Sequence, residues 1–289
     1  MYIIKLSNLK AYYRLTKPGI VYGNVFSAIA GFLMVSNFNI DFRLLSGLVI
    51  GVSFVIASAC VFNNYFDRHI DSKMDRTKRR ALVTGSITNR DAIIYATNLG
   101  VIGFLTLGFF TNWLTVVVGL IGYVDYVILY GLAKRRSTYG TIIGSISGSA
   151  SLVAGYVAVT DSFDSTATIL FLIMVFWQMA HFHSIALRRI NDYRLAGLPV
   201  LPAVKGQDKT KFIIKMYVVG FAMTSTSLFI LGGVGYVYLL SMLVLSWMWL
   251  WKSQMEYVDG TEWARVMFKF SLKVLVAFCL LLSFNSILP

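Results

Sequence analysis

Asn63-Asn64-Tyr65-Phe66-Asp67-Arg68-His69-Ile70-Asp71-Ser72-Lys73-Met74-Asp75-Arg76 is the stretch on which the reading of this chain turns. It follows directly on an apolar run, Leu44 to Phe62, long enough to cross a bilayer. Asn63, Asp67, Asp71 and Asp75 recur every four residues. On an α-helix each such step leaves neighbours about 40° apart and about 6 Å further along the axis. Asn63, Asp67 and Asp71 then share one face, with Asp75 at its margin. Like charges so spaced weaken a helix, and more so near a membrane. Two readings of the face are open. A hard divalent cation such as Mg²⁺ can sit against it, held by one or two carboxylates and substrate phosphates. Alternatively this is a solvated acidic helix end whose aspartates pair with Arg68, Lys73 and Arg76.

Composition narrows the choice. Of 289 residues, 57% are hydrophobic and 13% charged, and the mean hydropathy is +0.70. Soluble domains carry about 25% charged residues, so the chain reads as one polytopic, all-α integral membrane domain over residues 1–289. Cys60 and Cys279 fall inside apolar runs and read as small core residues. Nine spans are predicted, at 19–36, 44–66, 92–110, 113–133, 141–160, 166–187, 212–231, 234–251 and 266–285. Residues 1–17, with Lys5, Lys10, Arg14, Lys17 and no acid, read as a short basic interfacial segment and not as a signal peptide.

The net charge of +13 would suit a nucleic-acid partner, but its placement argues against one. Of the 26 lysines and arginines, only Arg43 lies in an odd-numbered loop. By the positive-inside rule the N-terminus is cytoplasmic and the C-terminus external, as an odd number of spans requires. The two longest inner loops, 67–91 and 188–211, are also the most polar, and are predicted to form a cytoplasmic active site. In the second, Asn191 and Asp192 can supply an amide and a carboxylate facing the first cluster, and Arg188, Arg189 and Arg194 can bind phosphate oxygens. Lys134, Arg135 and Arg136 offer the same at the inner end of span four. Each basic cluster also has a plain reading, in topology and lipid head-group contact.

Span five is rich in Gly, Ser and Ala, which lets either a neighbouring helix or a flat ligand approach. His181 and His183 lie about 200° apart on a helix, so only one can face a given site. A buried imidazole can ligate haem iron, act as a base, or be a bonded core residue. Asp125 stands mid-span, where an ionised carboxylate is expensive and normally functional, and no partner for it is evident. Carboxylates, amides and guanidinium groups at the inner end of an apolar, aromatic bundle suit a substrate with a diphosphate head and a long apolar tail.

Five stretches carry a resemblance: Thr16-Lys17-Pro18-Gly19-Ile20, Cys60 through Tyr65, Tyr139 through Ser145, Trp177-Gln178-Met179-Ala180-His181, and Asp192-Tyr193-x-x-Ala196-Gly197-x-Pro199-x-Leu201-Pro202. Asn63-Asn64-x-x-Asp67-x-x-x-Asp71 resembles the first aspartate-rich motif of the UbiA-type intramembrane prenyltransferases. The set of stretches is similar to the haem O synthase branch of that family, in order, from about residue 11 to the last span. The resemblance implies a nine-helix bundle in a bacterial inner membrane. It implies transfer of a farnesyl group from farnesyl diphosphate to a vinyl group of haem B, with water adding as hydroxyl, to feed haem A synthase or terminal oxidase assembly. It implies Mg²⁺ and diphosphate on Asn63, Asp67 and Asp71, with Asp192 in the second motif. Asn64 then stands where an acid is common, Lys17, Lys134, Arg135 and Arg136 bind diphosphate, and His181 lies near the porphyrin. Ala180, Ser151-Leu152, Asn191 and Asp125 depart from the family pattern. A quinone-precursor prenyltransferase is the rival within the class. A cation-coupled transporter is the rival outside it, disfavoured because the outer half is almost uncharged.

Overall fold

Each predicted apolar run forms a helix in the computed structural model, which describes residues 6–37 and 39–287. In chain order the helices are α1 (Leu6–Leu15), α2 (Pro18–Ser36), α3 (Phe42–Asp71), α4 (Ala81–Thr84), α5 (Asn89–Phe110), α6 (Trp113–Val124) and α7 (Tyr130–Arg136), the last two joined by a π-helical turn, Asp125–Leu129. They continue as α8 (Gly140–Thr160), α9 (Ser165–Arg188), α10 (Ile190–Leu195), α11 (Leu201–Lys205), α12 (Gln207–Ile230), α13 (Tyr236–Gln254) and α14 (Gly260–Ser283). The basic N-terminal segment includes α1; Lys5 lies outside the described residues.

Among the described residues eight helices are long and apolar enough to cross a membrane, counting α6 to α7 as one. This is a multi-pass membrane protein. The eighth predicted span, 234–251, forms helix α13 but is not among these helices. Tyr236, Tyr238, Trp247, Trp249, Trp251 and Lys252 dilute its hydropathy.

Three acids start long helices. Asp41 caps α3, accepting from the backbone N–H groups of Arg43 and Leu44 at 2.9 and 3.0 Å. Asp164 caps α9 and Asp259 caps α14 in the same way. Asn112 caps α6 and also donates to Val157 O on α8 at 2.6 Å, tying two helices together.

Neighbour packs on neighbour around a ring: α2 on α3, α3 on α5, α5 on α6, α6 on α8, α8 on α9, α9 on α12, α12 on α13, α13 on α14, and α14 back on α2. Small residues set the closest crossings. A Cβ on Gly155 of α8 would come 1.9 Å from Ala28 O of α2, and one on Gly31 would come 2.2 Å from Leu152 O. The small face of α8 packs on a neighbouring helix, as one of its two predicted uses requires, and part of it faces a cavity. Gly155 and Ala154 pack on α2, while Gly144, Ser147, Gly148 and Ser151 line an internal cavity.

Two boundaries differ from expectation. Helix α3 runs on to Asp71, so the first inner segment starts five residues later than the loop predicted at 67–91, and Asp67 and Asp71 are helical. Asp75 lies beyond the helix end, exposed and paired with Lys78 at 2.6 Å, and is not at the margin of the acidic face. Thr77 accounts for the stop: its hydroxyl donates to Asp71 O at 2.9 Å, turning the chain back. The second inner segment, 188–211, contains α10, α11 and the first turn of α12.

Candidate active site

Asn63, Asn64, Asp67 and Asp71 are all buried on the C-terminal end of α3. Asp67 accepts from Lys134, and from Arg135 Nη2 at 3.1 Å. Asp71 accepts from Arg80 Nη1 at 2.5 Å. Asn63 Oδ1 accepts from Lys17 Nζ at 2.6 Å. Lys17 adopts a left-handed conformation (φ 51°), sparsely populated for a lysine, where α1 turns into α2. Burial pushes its ammonium down to about 8 from the ordinary 10.5. The helix-end reading, with Arg68, Lys73 and Arg76 as partners, does not hold. Arg68 instead lies over the Tyr65 ring, 4.6 Å from its centroid, and donates to Tyr65 O.

The remaining predicted groups are less concentrated. Asn64 Nδ2 donates to Leu15 O at 2.8 Å, and its buried Oδ1 has no partner among the described residues. Asn64 lines a second cavity of about 400 Å³ with Lys10, Arg14, Arg76, Arg79 and Arg80. Arg136 is exposed. Arg188 lies over the Phe268 ring at 4.8 Å and does not line the main cavity. Asp192 is half-buried on α10, its side chain without a hydrogen bond among the described residues, and its neighbour Tyr193 lines the main cavity. Burial pushes the Tyr193 phenol up to about 12, so it stays protonated.

That cavity has a volume of about 530 Å³. Arg76, Lys134, Tyr130 and Tyr193 lie at its inner, polar end, and Val52, Val55 and Leu107 lie deeper. Val52 precedes Asp67 by about 22 Å along the helix axis at 1.5 Å per residue. Trp177 and His181 form one wall, their rings stacked with centroids 4.8 Å apart. His183, on the opposite side of α9, packs near Tyr217, as the angle between the two histidines requires. Asp125 is buried in the π turn; its Oδ2 accepts from Ser147 N at 3.1 Å and its Oδ1 has no partner among the described residues.

The donor set suits a hard cation and a diphosphate. Two buried carboxylates and amide oxygens are surrounded by Lys17, Arg76, Arg80, Lys134 and Arg135, more positive charge than the acids balance. Among the described residues no three His, Cys, Asp or Glu come together as a metal cage. A cation here would draw part of its shell from the substrate, as Mg²⁺ commonly does. Sequence reasoning gave Arg80 no role at the site. It is nine positions beyond Asp71, and only the turn at Thr77 brings it back.

The profile of the UbiA prenyltransferase family matches residues 24–273. Proteins named protoheme IX farnesyltransferase from Klebsiella pneumoniae and Shigella flexneri are each 46% identical over 283 residues, covering 97% of this chain and 96% of theirs. A digeranylgeranylglyceryl phosphate synthase has the same fold, with a TM-score of 0.80 at 22% identity over 98% of this chain and 99% of its own. A UbiA homologue from Archaeoglobus fulgidus bound to GPP and Mg²⁺ gives 0.70 at 15% identity, over 94% and 99%.

Proposed function

The chain belongs to the UbiA prenyltransferase family, and we propose that it transfers a farnesyl group from farnesyl diphosphate to a vinyl group of haem B, with water added as hydroxyl, to give haem O. Identity close to half over nearly the whole length to proteins named for this reaction supports the substrate pair. The observation that carries the chemistry is the crowding of Lys17, Arg80, Lys134 and Arg135 onto Asn63, Asp67 and Asp71, beside an apolar cavity.

Asn63, Asp67 and Asp71, with Asp192 from the second inner segment, are assigned to Mg²⁺ and through it to the diphosphate. The ion, when bound, neutralises charge on the leaving diphosphate. Lys17, Lys134 and Arg135 bind diphosphate oxygens directly, with Asn64 beside them and Arg136 and Arg188 on the approach. Positive charge fixed in advance lowers the barrier to breaking the bond between farnesyl C1 and oxygen. The apolar cavity keeps bulk water from the allylic cation, and the ring faces of Tyr126 and Tyr130, which line it, favour positive charge. The porphyrin is placed against the Trp177–His181 wall. By the positive-inside rule this end faces the cytoplasm of a bacterial inner membrane, upstream of haem A synthase or terminal oxidase assembly.

The deciding experiment is product mass after incubating membranes containing the protein with haem B, farnesyl diphosphate and Mg²⁺, with and without chelator. A chelator-sensitive gain of one hydroxyfarnesyl unit on haem B is expected. An unmodified haem, with aromatic acceptors prenylated instead, would overturn the assignment of the acceptor.

A further inference from the structure

Gln178 and His181 lie one turn apart on α9, and both line the cavity. Their hydrogen bonds fix which atoms are left over. The Ser271 hydroxyl has one proton, which it donates to Phe268 O at 2.7 Å. In its 2.7 Å contact with His181 Nδ1, Ser271 Oγ must therefore accept. Nδ1 then carries the imidazole proton, and Nε2 carries the lone pair. The Gln178 amide is fixed by the same logic. Its Nε2 reaches Ser145 O and Met174 O, both at 3.2 Å, and carbonyl oxygens only accept. Its Oε1 lies over Gly148, where a Cβ would come within 2.0 Å of it.

Among the described residues neither His181 Nε2 nor Gln178 Oε1 receives a donor, although the two residues are only 8% and 2% exposed. Two bare acceptors on adjacent turns of one helix, open to a cavity, match the two protons of one water molecule. We infer that Gln178 and His181 hold the water that hydroxylates the farnesylated vinyl group, with His181 Nε2 as the base and Gln178 as the positioning residue. The inference rests on the haem O reading of the site. Attack of the terminal vinyl carbon on farnesyl C1 forms the carbon–carbon bond and leaves a positive charge on the vinyl carbon next to the porphyrin. The water oxygen bonds to that carbon, one of its protons passes to His181 Nε2, and the Nδ1 proton stays toward Ser271. The imidazolium later returns its proton to solvent. Nothing is oxidised or reduced.

The other ionisable groups lining the cavity fit this task less well. Lys134 is committed to Asp67, Arg76 is a cation, and the Cys60 thiol and the phenols of Tyr123, Tyr126, Tyr130 and Tyr193 carry protons of their own.

The test is the ratio of hydroxylated to dehydrated farnesyl haem in the product mass spectrum of the full chain in membranes. When no base removes a proton from the water, the cation loses one from its neighbouring carbon to the released diphosphate, giving an alkene one water lighter. His181→Phe keeps a ring against Trp177 and is expected to lower the ratio at least tenfold. Gly148→Ala deletes no polar group but displaces Gln178 Oε1, and is expected to lower it severalfold; it carries the test if His181→Phe does not assemble. Unchanged hydroxylation in both variants would overturn the inference. So would intact hydroxylation with a changed axial-ligand spectrum of bound ferric haem in His181→Phe, which would make the imidazole an iron ligand. If the unsubstituted protein makes no farnesyl haem of either mass, the acceptor assignment fails and the water site falls with it.

Discussion

At the scale of single residues, the acidic face of α3 gives the sharpest predictions. Asp67→Asn and Asp71→Asn keep size and remove charge, and each should lower turnover by at least about 100-fold, with the protein still inserted and folded. Near-normal turnover in either would remove the proposed metal–diphosphate role of that face. Arg80→Gln should cost less, because Lys134 and Arg135 remain, so a loss equal to that of Asp71→Asn would show that Arg80 does more than neutralise Asp71. Lys17 adds a pH dependence. Its ammonium, lowered to about 8 chiefly by burial, is charged below that pH and neutral above it. A diphosphate needs the charged form, so kcat/KM for farnesyl diphosphate should fall as pH rises through about 8, and Lys17→Met should flatten that limb. For stability the sign is opposite. Between about 8 and 10.5 the unfolded chain binds the extra proton, so the cost of burying this ammonium is relieved and stability rises with pH through that window. Asn63, Asp67 and Asp71 were legible in the sequence because spacing on one helix is a local property. The roles of Arg80, Gln178 and Ser271 were not, since each depends on which atoms of other segments stand opposite.

Helical elements were read almost completely from hydropathy, because a span must be both apolar and long. The first inner loop was started too early, at residue 67, for the same reason: hydropathy falls there, while the helix continues to Asp71 on side-chain partners that hydropathy does not register. The crossing of α2 and α8 also hides in composition. Gly155→Val would push a side chain into Ala28 O, forcing the two helices apart. Overpacking of this kind costs about 1–3 kcal/mol, and a lowered thermal midpoint in detergent should report it. The π turn in the fourth span acts the other way. Asp125 buries a carboxyl oxygen with no partner. Asp125→Leu should leave the fold intact and raise the thermal midpoint, because an unsatisfied buried acceptor costs about 1–3 kcal/mol. A lowered midpoint would mean that the bond from Ser147 N to Oδ2 outweighs the cost of the bare Oδ1.

Taken whole, the molecule separates charge from grease across its height: all but one of its 26 basic residues fall on one predicted side. A cysteine placed at exposed Ser286 should therefore react with a membrane-impermeant maleimide added outside intact cells, and one at exposed Ser72 should not. Reaction at Ser72 alone would invert the orientation. Closure of the ring by α14 against α2 bears on how the protein is made. Helix α14, made late, packs on α2, made early, and it brings Ser271, which bonds the His181 ring. A nascent chain stalled after α13 already carries every acid and base assigned to diphosphate, yet its barrel has an open seam. The proposed chemistry, which needs bulk water kept from an allylic cation, therefore waits until α14 has closed that seam.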